Sequence, residues 1–190
     1  MKTTKNFVLI GKSGSGKGTQ SDLLMKHFGN LHHISTGNLF RKLSKTKTAA
    51  ANVITEILKT GGLPFDDLAT TLWMYDISHK VKDDEGFIMD GAPRRPEEAQ
   101  NLDRFLDFLK RSDSTYHILL DVSRDEASRR LTARGRADDT PKAINSRLDY
   151  FDNIVSKVIL HYQTSNRLIK INGEQASEKV FEDILKAVKK

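Results

Sequence analysis

The chain alternates short apolar runs with longer amphipathic stretches. The runs predict buried strands at residues 7–10, 33–35, 87–90, 116–122 and 168–171. Continuous apolar runs of this length, separated by helical segments, are typical of parallel strands that helices cover on both faces. The connections between the runs are long enough for right-handed crossovers. The pattern therefore predicts a single α/β domain over residues 1–190.

Proline and cap residues mark where helices begin between these strands. Pro96 is followed by two glutamates, and proline and acidic residues both suit the first turn of a helix. Thr140 precedes a proline and is a predicted N-cap, and Ser177 begins a last helix whose apolar stripe we expect in the core. Residues 45–80 predict two or three helices, broken at the glycine pair 61–62. This segment interrupts the rhythm of strand and helix and is a candidate small mobile subdomain.

Composition narrows the class of protein. The chain has 190 residues, a net charge of +6 and no cysteine. Without cysteine there is no disulfide framework and no thiolate zinc site, so we expect a reducing, cytoplasmic setting and no zinc. No apolar run is long enough for a transmembrane helix, and the N-terminal apolar stretch is too short for a signal peptide.

The positive charge fits a solvated basic surface, a polyanionic small ligand or nucleic acid. Many arginines lie beside glycine loops or turns, and no basic segment is rich in aromatic residues, so we expect a phosphate pocket and no nucleic-acid partner. No long apolar surface stripe indicates a partner chain, which favours a monomer. Arg111 and Arg129 belong to no motif and are interpreted as surface charges. His32 and His33 show no ligand spacing and are interpreted as core or surface residues.

A glycine-rich loop follows the first predicted strand and opens a helix. It reads GKSGSGKGT at residues 11–19 and contains the G-x-x-x-x-G-K pattern of a phosphate-binding loop. Glycines let backbone N–H groups approach a phosphate, and the helix N-terminus adds partial positive charge. Lys17 supplies a full charge to the terminal phosphates, whereas Gly18 stands where a serine or threonine is usual. The alternative is a helix-capping turn that binds nothing.

Four motifs in order resemble the adenylate kinase family of nucleoside-monophosphate kinases, in its short-lid form. They read GSGKGTQ at 14–20, STGNLFR at 35–41, GFIMDGAPR at 86–94 and GRADD at 135–139. The resemblance covers nearly the whole chain and includes the glycine after the loop lysine. It implies a P-loop NTPase-type three-layer α/β/α fold with a five-stranded parallel sheet in the order 2-3-1-4-5. It also implies a helical NMP-binding insertion at residues 36–65 and a very short lid at residues 134–140.

The resemblance further implies an enzyme that moves the terminal phosphoryl group of ATP, with Mg²⁺, to a nucleoside monophosphate. AMP is the leading acceptor, which gives ATP + AMP = 2 ADP. A GMP or UMP/CMP kinase is the alternative within this class. A nucleotide- or RNA-binding regulatory protein with weak kinase activity is the alternative from another class. Another small-molecule kinase with a P-loop would share the first motif but would leave Arg94 and the arginine-bearing lid unexplained.

The resemblance assigns roles to matching positions. The ATP-binding residues would be Ser13, Gly14, Ser15, Gly16, Lys17, Gly18, Thr19, Arg130, Arg134 and Gln175. The NMP-binding residues would be Thr36, Arg41, Pro64, Gly91, Arg94, Glu98, Arg136 and Arg147. The catalytic residues would be Lys17, Arg94, Arg130, Arg136 and Arg147. Asp90 would organise the metal through water, and Asp138 and Asp139 would help to close the lid. Arginines suit phosphoryl transfer because it requires charge neutralisation and positioning.

Two departures from the family pattern bear on specificity and on water exclusion. Glu98 stands where the family commonly has glutamine, and a carboxylate only accepts hydrogen bonds, which suits guanine better than adenine. Either the acceptor preference changes towards GMP, or Glu98 turns outward as a solvated helix residue and AMP binds through backbone groups. The lid is shorter than in most short-lid members, so we expect it to exclude water less completely and to permit ATP hydrolysis without acceptor.

Overall fold

A parallel sheet forms the centre of the protein, described here by a computed structural model over residues 4–59, 62–136 and 139–188. Within these ranges its five strands are β1 (Asn6–Ile10), β2 (Leu31–Ser35), β3 (Gly86–Asp90), β4 (Thr115–Asp121) and β5 (Leu168–Asn172). Their order is β2-β3-β1-β4-β5, with every neighbouring pair parallel. Each apolar run became a strand, and the predicted fold class and strand order are confirmed.

Helices connect the strands at the places that the cap signals indicate. They are α1 (Lys17–Phe28), α2 (Thr36–Leu43), α3 (Ala49–Lys59), α4 (Asp66–Lys80), α5 (Pro96–Phe108), α6 (Arg124–Arg134), α7 (Pro141–Tyr150), α8 (Ser156–Thr164) and α9 (Ser177–Ala187). A 3-10 turn (Ser112–Ser114) precedes β4, and a π-helical turn (Phe151–Val155) joins α7 to α8. The starts predicted at Pro96, Thr140 and Ser177 are confirmed; the Thr140 hydroxyl accepts from the Ala143 N–H at 3.3 Å. The predicted break at residues 61–62 lies partly outside the described residues.

Apolar side chains fill both faces of the sheet. On one face Val8 and Met89 pack with Trp73 of α4 and Tyr162 of α8, and on the other Phe7 packs with helices α1 and α9. Alternate residues of a strand point to opposite faces, so one run of apolar residues supplies both layers. The three-layer architecture follows from this. No helix in the described ranges is long and apolar enough to cross a membrane.

The helices between β2 and β3 have a small core of their own. Phe40 of α2, Ile54 of α3 and Ala69 of α4 form a buried cluster, with Leu43 and Leu58 packed against it. A separate cluster lets these helices hold their mutual arrangement apart from the main core. The role of residues 36–65 as an NMP-binding subdomain stays a prediction.

Arg111 is not the surface charge that we predicted. Its guanidinium donates from Nη1 to the Glu85 carbonyl at 2.7 Å and from Nη2 to the Lys82 carbonyl at 3.0 Å. It therefore links the turn before β3 to the end of α5. It also supplies hydrogen-bond donors to backbone carbonyls, which need such partners where they are shielded from water. Arg129, in contrast, is exposed and pairs with Glu126 of its own helix.

A buried histidine lies in the layer between β4 and α8. His117 is 2% exposed and stacks on the Tyr162 ring with centroids 3.9 Å apart, and in the described chain neither of its ring nitrogens has a hydrogen-bond partner. Asp103 lies nearby and is paired with Arg167 and His161. Burial lowers the pKa of His117 to about 4; Arg167 acts in the same direction and Asp103 opposes it.

We expect His117 to weaken the fold in mild acid. Between pH 6.5, its ordinary pKa, and about pH 4, His117 binds a proton in the unfolded chain but stays neutral in the folded chain. The free energy of unfolding therefore falls across this window, by on the order of 3 kcal/mol in full. Urea unfolding at pH 7.5 and pH 5.0 should show a smaller fall in His117→Leu than in the wild type. The exposed His79, replaced in His79→Gln, should leave the fall intact. Equal falls in the wild type and His117→Leu would contradict the assignment.

Candidate nucleotide site at the carboxyl ends of the strands

A cleft of about 980 Å³ opens at the carboxyl ends of β1, β2 and β3. Ligands of open α/β sheets bind at this edge, where the connections diverge. The predicted site residues that line the cleft are Ser13, Gly14, Ser15, Gly16, Lys17, Gly18, Thr19, Arg41, Pro64, Asp90, Gly91, Arg94, Arg130, Arg134, Arg136, Arg147 and Gln175. Thr36 and Glu98 lie behind its wall, where they are 0% and 4% exposed. Asp138 lies outside the described residues.

The glycine loop has the conformation that its sequence requires. Gly16 caps α1 in the left-handed region at φ 93°, and Gly14 has φ 86°. A Cβ at Gly14 would lie 2.7 Å from the Ala127 carbonyl, so only glycine lets the loop pack on α6. The Lys17 ammonium donates to the Gly11 and Lys12 carbonyls at 2.7 and 2.8 Å. This holds the cation inside the curve of the loop.

Burial disfavours the charged form of Lys17. Burial lowers the pKa of Lys17 to about 8; the charges of Arg94 and Arg134 add to the effect, and Asp90 opposes it. A phosphate placed in the loop would supply a compensating negative charge. The loop therefore has both the charge and the geometry that an anion site requires.

Asp90 ends β3 and faces the cleft beside a histidine. Its Oδ2 lies 3.0 Å from His33 Nε2. Burial would raise the pKa of Asp90, but the His33 hydrogen bond and the charge of Lys17 bring it below its ordinary value. The described residues contain no group of three side chains that could hold a metal by themselves. A single carboxylate fits Mg²⁺ that arrives on phosphates and keeps most of its waters.

His33 is a site residue that our sequence interpretation missed. It lines the cleft and contacts Asp90. The β2–β3 register pairs Ser35 with Asp90, and His33 lies two residues earlier on the same face of β2. This register is the only signal that could have indicated the contact, and it is a property of the sheet.

Asp139 joins two of the predicted phosphate-binding arginines. Its side chain is fully buried and accepts from Arg134 Nε and Nη2 at 2.9 and 2.8 Å and from Arg147 Nη1 at 2.9 Å. Burial would raise the pKa of Asp139, but the Arg134 and Arg147 hydrogen bonds bring it below its ordinary value. One carboxylate thus holds the end of α6 against α7 and brings two guanidinium groups to the same edge of the cleft.

The remaining arginines are held mainly by uncharged acceptors. Arg94 Nε donates to the Gly91 carbonyl at 2.7 Å, and Arg130 Nη2 donates to the Gly173 carbonyl at 3.0 Å. Arg130 also pairs with Glu126 through Nε at 2.6 Å, and Arg41 bonds the Asn38 amide oxygen. Because backbone carbonyls orient a guanidinium without cancelling its charge, the cleft keeps a positive field suited to an anionic ligand.

Thr36 and Glu98 contact the cleft wall from behind. The Thr36 hydroxyl donates to the Asp90 carbonyl at 3.3 Å. The Glu98 carboxylate accepts from Trp73 Nε1 at 3.0 Å and from the Arg94 backbone N–H at 2.6 Å. Burial raises the pKa of Glu98, and these two hydrogen bonds oppose that rise. The expectation that Glu98 turns outward into solvent is wrong, because α4 packs over it.

Comparison with known proteins now decides the family. A family model described as adenylate kinase matches residues 9–167. The chain belongs to the adenylate kinase family. The adenylate kinase of Ureaplasma urealyticum serovar 10 is 34% identical to it, over 94% of this chain and 95% of that protein. The adenylate kinase of Azobacteroides pseudotrichonymphae is also 34% identical, over 96% of each chain. Human adenylate kinase isoenzyme 5 is 31% identical over 99% of this chain, which spans 33% of that protein.

Membership of the family makes the chain an enzyme, a nucleoside-monophosphate kinase that uses ATP. The predicted family and the predicted class of enzyme are confirmed.

Lys12, within the loop, is held away from the phosphate position. Its ammonium lies 4.7 Å from the centre of the Phe151 ring and 3.6 Å from Asp152 Oδ1, and its side chain is 15% exposed. Phe151 begins the π-helical turn, a feature that often occurs at functional sites. No local pattern predicts that turn, and the contact between Lys12 and Phe151 was not predicted from the sequence.

The two loop lysines provide a matched test of the phosphate site. We expect Lys17→Met to lower kcat by at least about 100-fold, because it removes a buried charge aimed at the phosphate position. Lys12→Met should lose less than about tenfold, since that ammonium is occupied by Phe151 and Asp152. A coupled assay of ADP formation measures both variants. Equal losses would show that Lys17 has no special place in the loop.

Proposed function

We propose that this kinase transfers the terminal phosphoryl group of ATP to AMP, giving two ADP. The observation that carries the proposal is a second group of cations beyond the phosphate loop. An added Cβ at Gly37 would lie 3.4 Å from Arg41 Nη1, and one at Gly91 would lie 3.6 Å from Arg94 Nη2. Both arginines thus surround the backbone near Thr36, where an acceptor phosphate would find donors. The relatives that match over nearly their whole length are named adenylate kinases, which supports AMP.

The residues divide the work of the reaction. Lys17 and the N–H groups at the start of α1 would hold the donor phosphates, and Arg41 and Arg94 would hold the acceptor phosphate. The group of Arg130, Arg134, Arg136 and Arg147 would neutralise charge that develops on the phosphoryl oxygens. Magnesium, carried by ATP and oriented by Asp90 through water, would add charge neutralisation. Positioning and electrostatics are sufficient, since this transfer needs little covalent help from protein.

The oligomeric state, the location and the partners that we propose are those expected from the sequence. We propose a monomer in the cytoplasm that works on small-molecule nucleotides, with no nucleic-acid partner. A donor site at the loop and an acceptor site at Arg41 and Arg94 would be completed within one chain, which is consistent with a monomer.

The function is tested by offering ATP and Mg²⁺ with AMP, GMP, CMP or UMP and separating the products by chromatography. We expect AMP to have the highest kcat/KM. A higher kcat/KM for GMP, or for UMP and CMP, would show that the enzyme is a nucleoside-monophosphate kinase with an acceptor other than AMP. Tight ATP binding with no phosphoryl transfer to any monophosphate would reject the proposal.

Arg94 should bind the acceptor phosphate rather than the donor. We expect Arg94→Met to lower kcat/KM for AMP by about 100-fold or more, because a guanidinium fork to phosphate is lost from a partly buried site. The KM for ATP should stay within about threefold of the wild-type value. Arg129→Met is the matched control, since Arg129 is exposed and paired with Glu126. A larger effect on the KM for ATP than for AMP would contradict the assignment.

The short lid should let water compete with the acceptor. Only residues 135–140 separate the end of α6 from the start of α7, and a small cover excludes water from the phosphoryl group less completely. We expect ATP hydrolysis in the absence of any monophosphate, measured as release of inorganic phosphate. Lys17→Met, purified in parallel, gives the background from contaminating ATPases. A wild-type rate equal to that background would contradict the prediction.

A further inference from the structure

Glu98 connects two segments that border the acceptor side of the cleft. It is the third residue of α5, is 4% exposed and uses both carboxylate oxygens. Oε1 accepts from Nε1 of Trp73 at 3.0 Å, and Trp73 is fully buried in α4. Oε2 accepts from the backbone N–H of Arg94 at 2.6 Å. One side chain thus joins helix α4 to the residue that carries the acceptor guanidinium.

The Arg94 N–H needs such a partner. Arg94 lies just before α5, where backbone N–H groups have no acceptor within the helix. Without Glu98, the Arg94 N–H would be left unpaired in a partly buried place and the Trp73 indole N–H in a fully buried one. The Arg94 side chain is held in addition through Nε, which donates to the Gly91 carbonyl at 2.7 Å. In the described part of the chain, its Nη1 and Nη2 make no hydrogen bond and stay available for a phosphate.

We propose that Glu98 is a positioning residue for Arg94 and does not read the acceptor base. The proposal rests on the proposed function, because it concerns the monophosphate that Arg94 would hold. Reading a base would require one carboxylate oxygen to leave its N–H donor and turn into the cleft. Each such move would leave a buried or partly buried donor unpaired, which costs free energy. The preference for one base must then come from other groups around the acceptor.

The two possible roles of Glu98, positioning Arg94 or reading the base, predict different effects on the four monophosphates. If Glu98 acts through Arg94, its loss weakens the grip on the phosphate, which every nucleoside monophosphate carries. The fold-change is then the same for AMP, GMP, CMP and UMP, and their ranking is unchanged. If Glu98 reads the base, its loss changes kcat/KM for one or two of the four monophosphates and leaves kcat/KM for the others unchanged.

The experiment compares Glu98→Leu and Glu98→Gln with the wild type. For each variant, kcat/KM for the four monophosphates, the KM for ATP and the Kd of each monophosphate by calorimetry are measured. We expect Glu98→Leu to lose about 10- to 100-fold in kcat/KM for every monophosphate, because a small misplacement of Arg94 is enough for that loss. The factors should agree within about twofold, with the KM for ATP unchanged. Glu98→Gln keeps one acceptor oxygen and should lose less.

Two further variants separate the bond to Arg94 from other effects. Trp73→Phe removes the other donor but keeps the bond to Arg94, and should lose less than Glu98→Leu; Glu98→Gln, compared across the four monophosphates, stands in should Glu98→Leu not fold. Glu97→Gln, on the exposed face of α5, is the matched control and should resemble the wild type. Should no monophosphate be phosphorylated, the proposed function fails, and the Kd values still decide the role of Glu98. A change confined to one base, or no change in Glu98→Leu, overturns the proposal.

Discussion

Repulsion between like charges is the constraint on which the whole site depends. The cleft gathers Lys17 and a set of arginines, and charges of one sign oppose one another more strongly the less water separates them. The protein offsets this repulsion by giving its cations acceptors of two kinds. Asp139 carries a full negative charge and holds Arg134 and Arg147. Backbone carbonyls hold Lys17 and Arg94 without neutralising them, so their positive field remains for a ligand.

The strand order explains how one chain brings these cations together. β1 is the central strand and pairs with β3 on one side and β4 on the other. The loop that follows β1 therefore meets the Asp90–Arg94 segment after β3 and helix α6 after β4. Parallel strands end at one edge of the sheet, so three connections that are far apart in sequence open into the same space. A different order would separate the glycine loop from Arg94.

Local patterns predict what neighbours in sequence decide. The strand, glycine loop and helix around Lys17 are consecutive, so their roles can be predicted from the chain alone, and the apolar runs predict the strands. His33 could not be placed, because its contact with Asp90 depends on the register between two strands. Glu98 was misjudged for the same reason: helical position allows it to face solvent, and only the packing of Trp73 against α5 removes it from water. Such contacts are tertiary, and no local signal carries them.

Burial of a cation adds to this constraint at Lys17. Burial lowers the pKa of Lys17 to about 8, so at neutral pH the lysine is charged in both the folded and the unfolded chain. The full unfavourable free energy of burying that charge is therefore present at neutral pH. A phosphate in the loop recovers it, because an opposite charge stabilises the buried ammonium. A phosphate bound at the loop would therefore link binding to folding through Lys17.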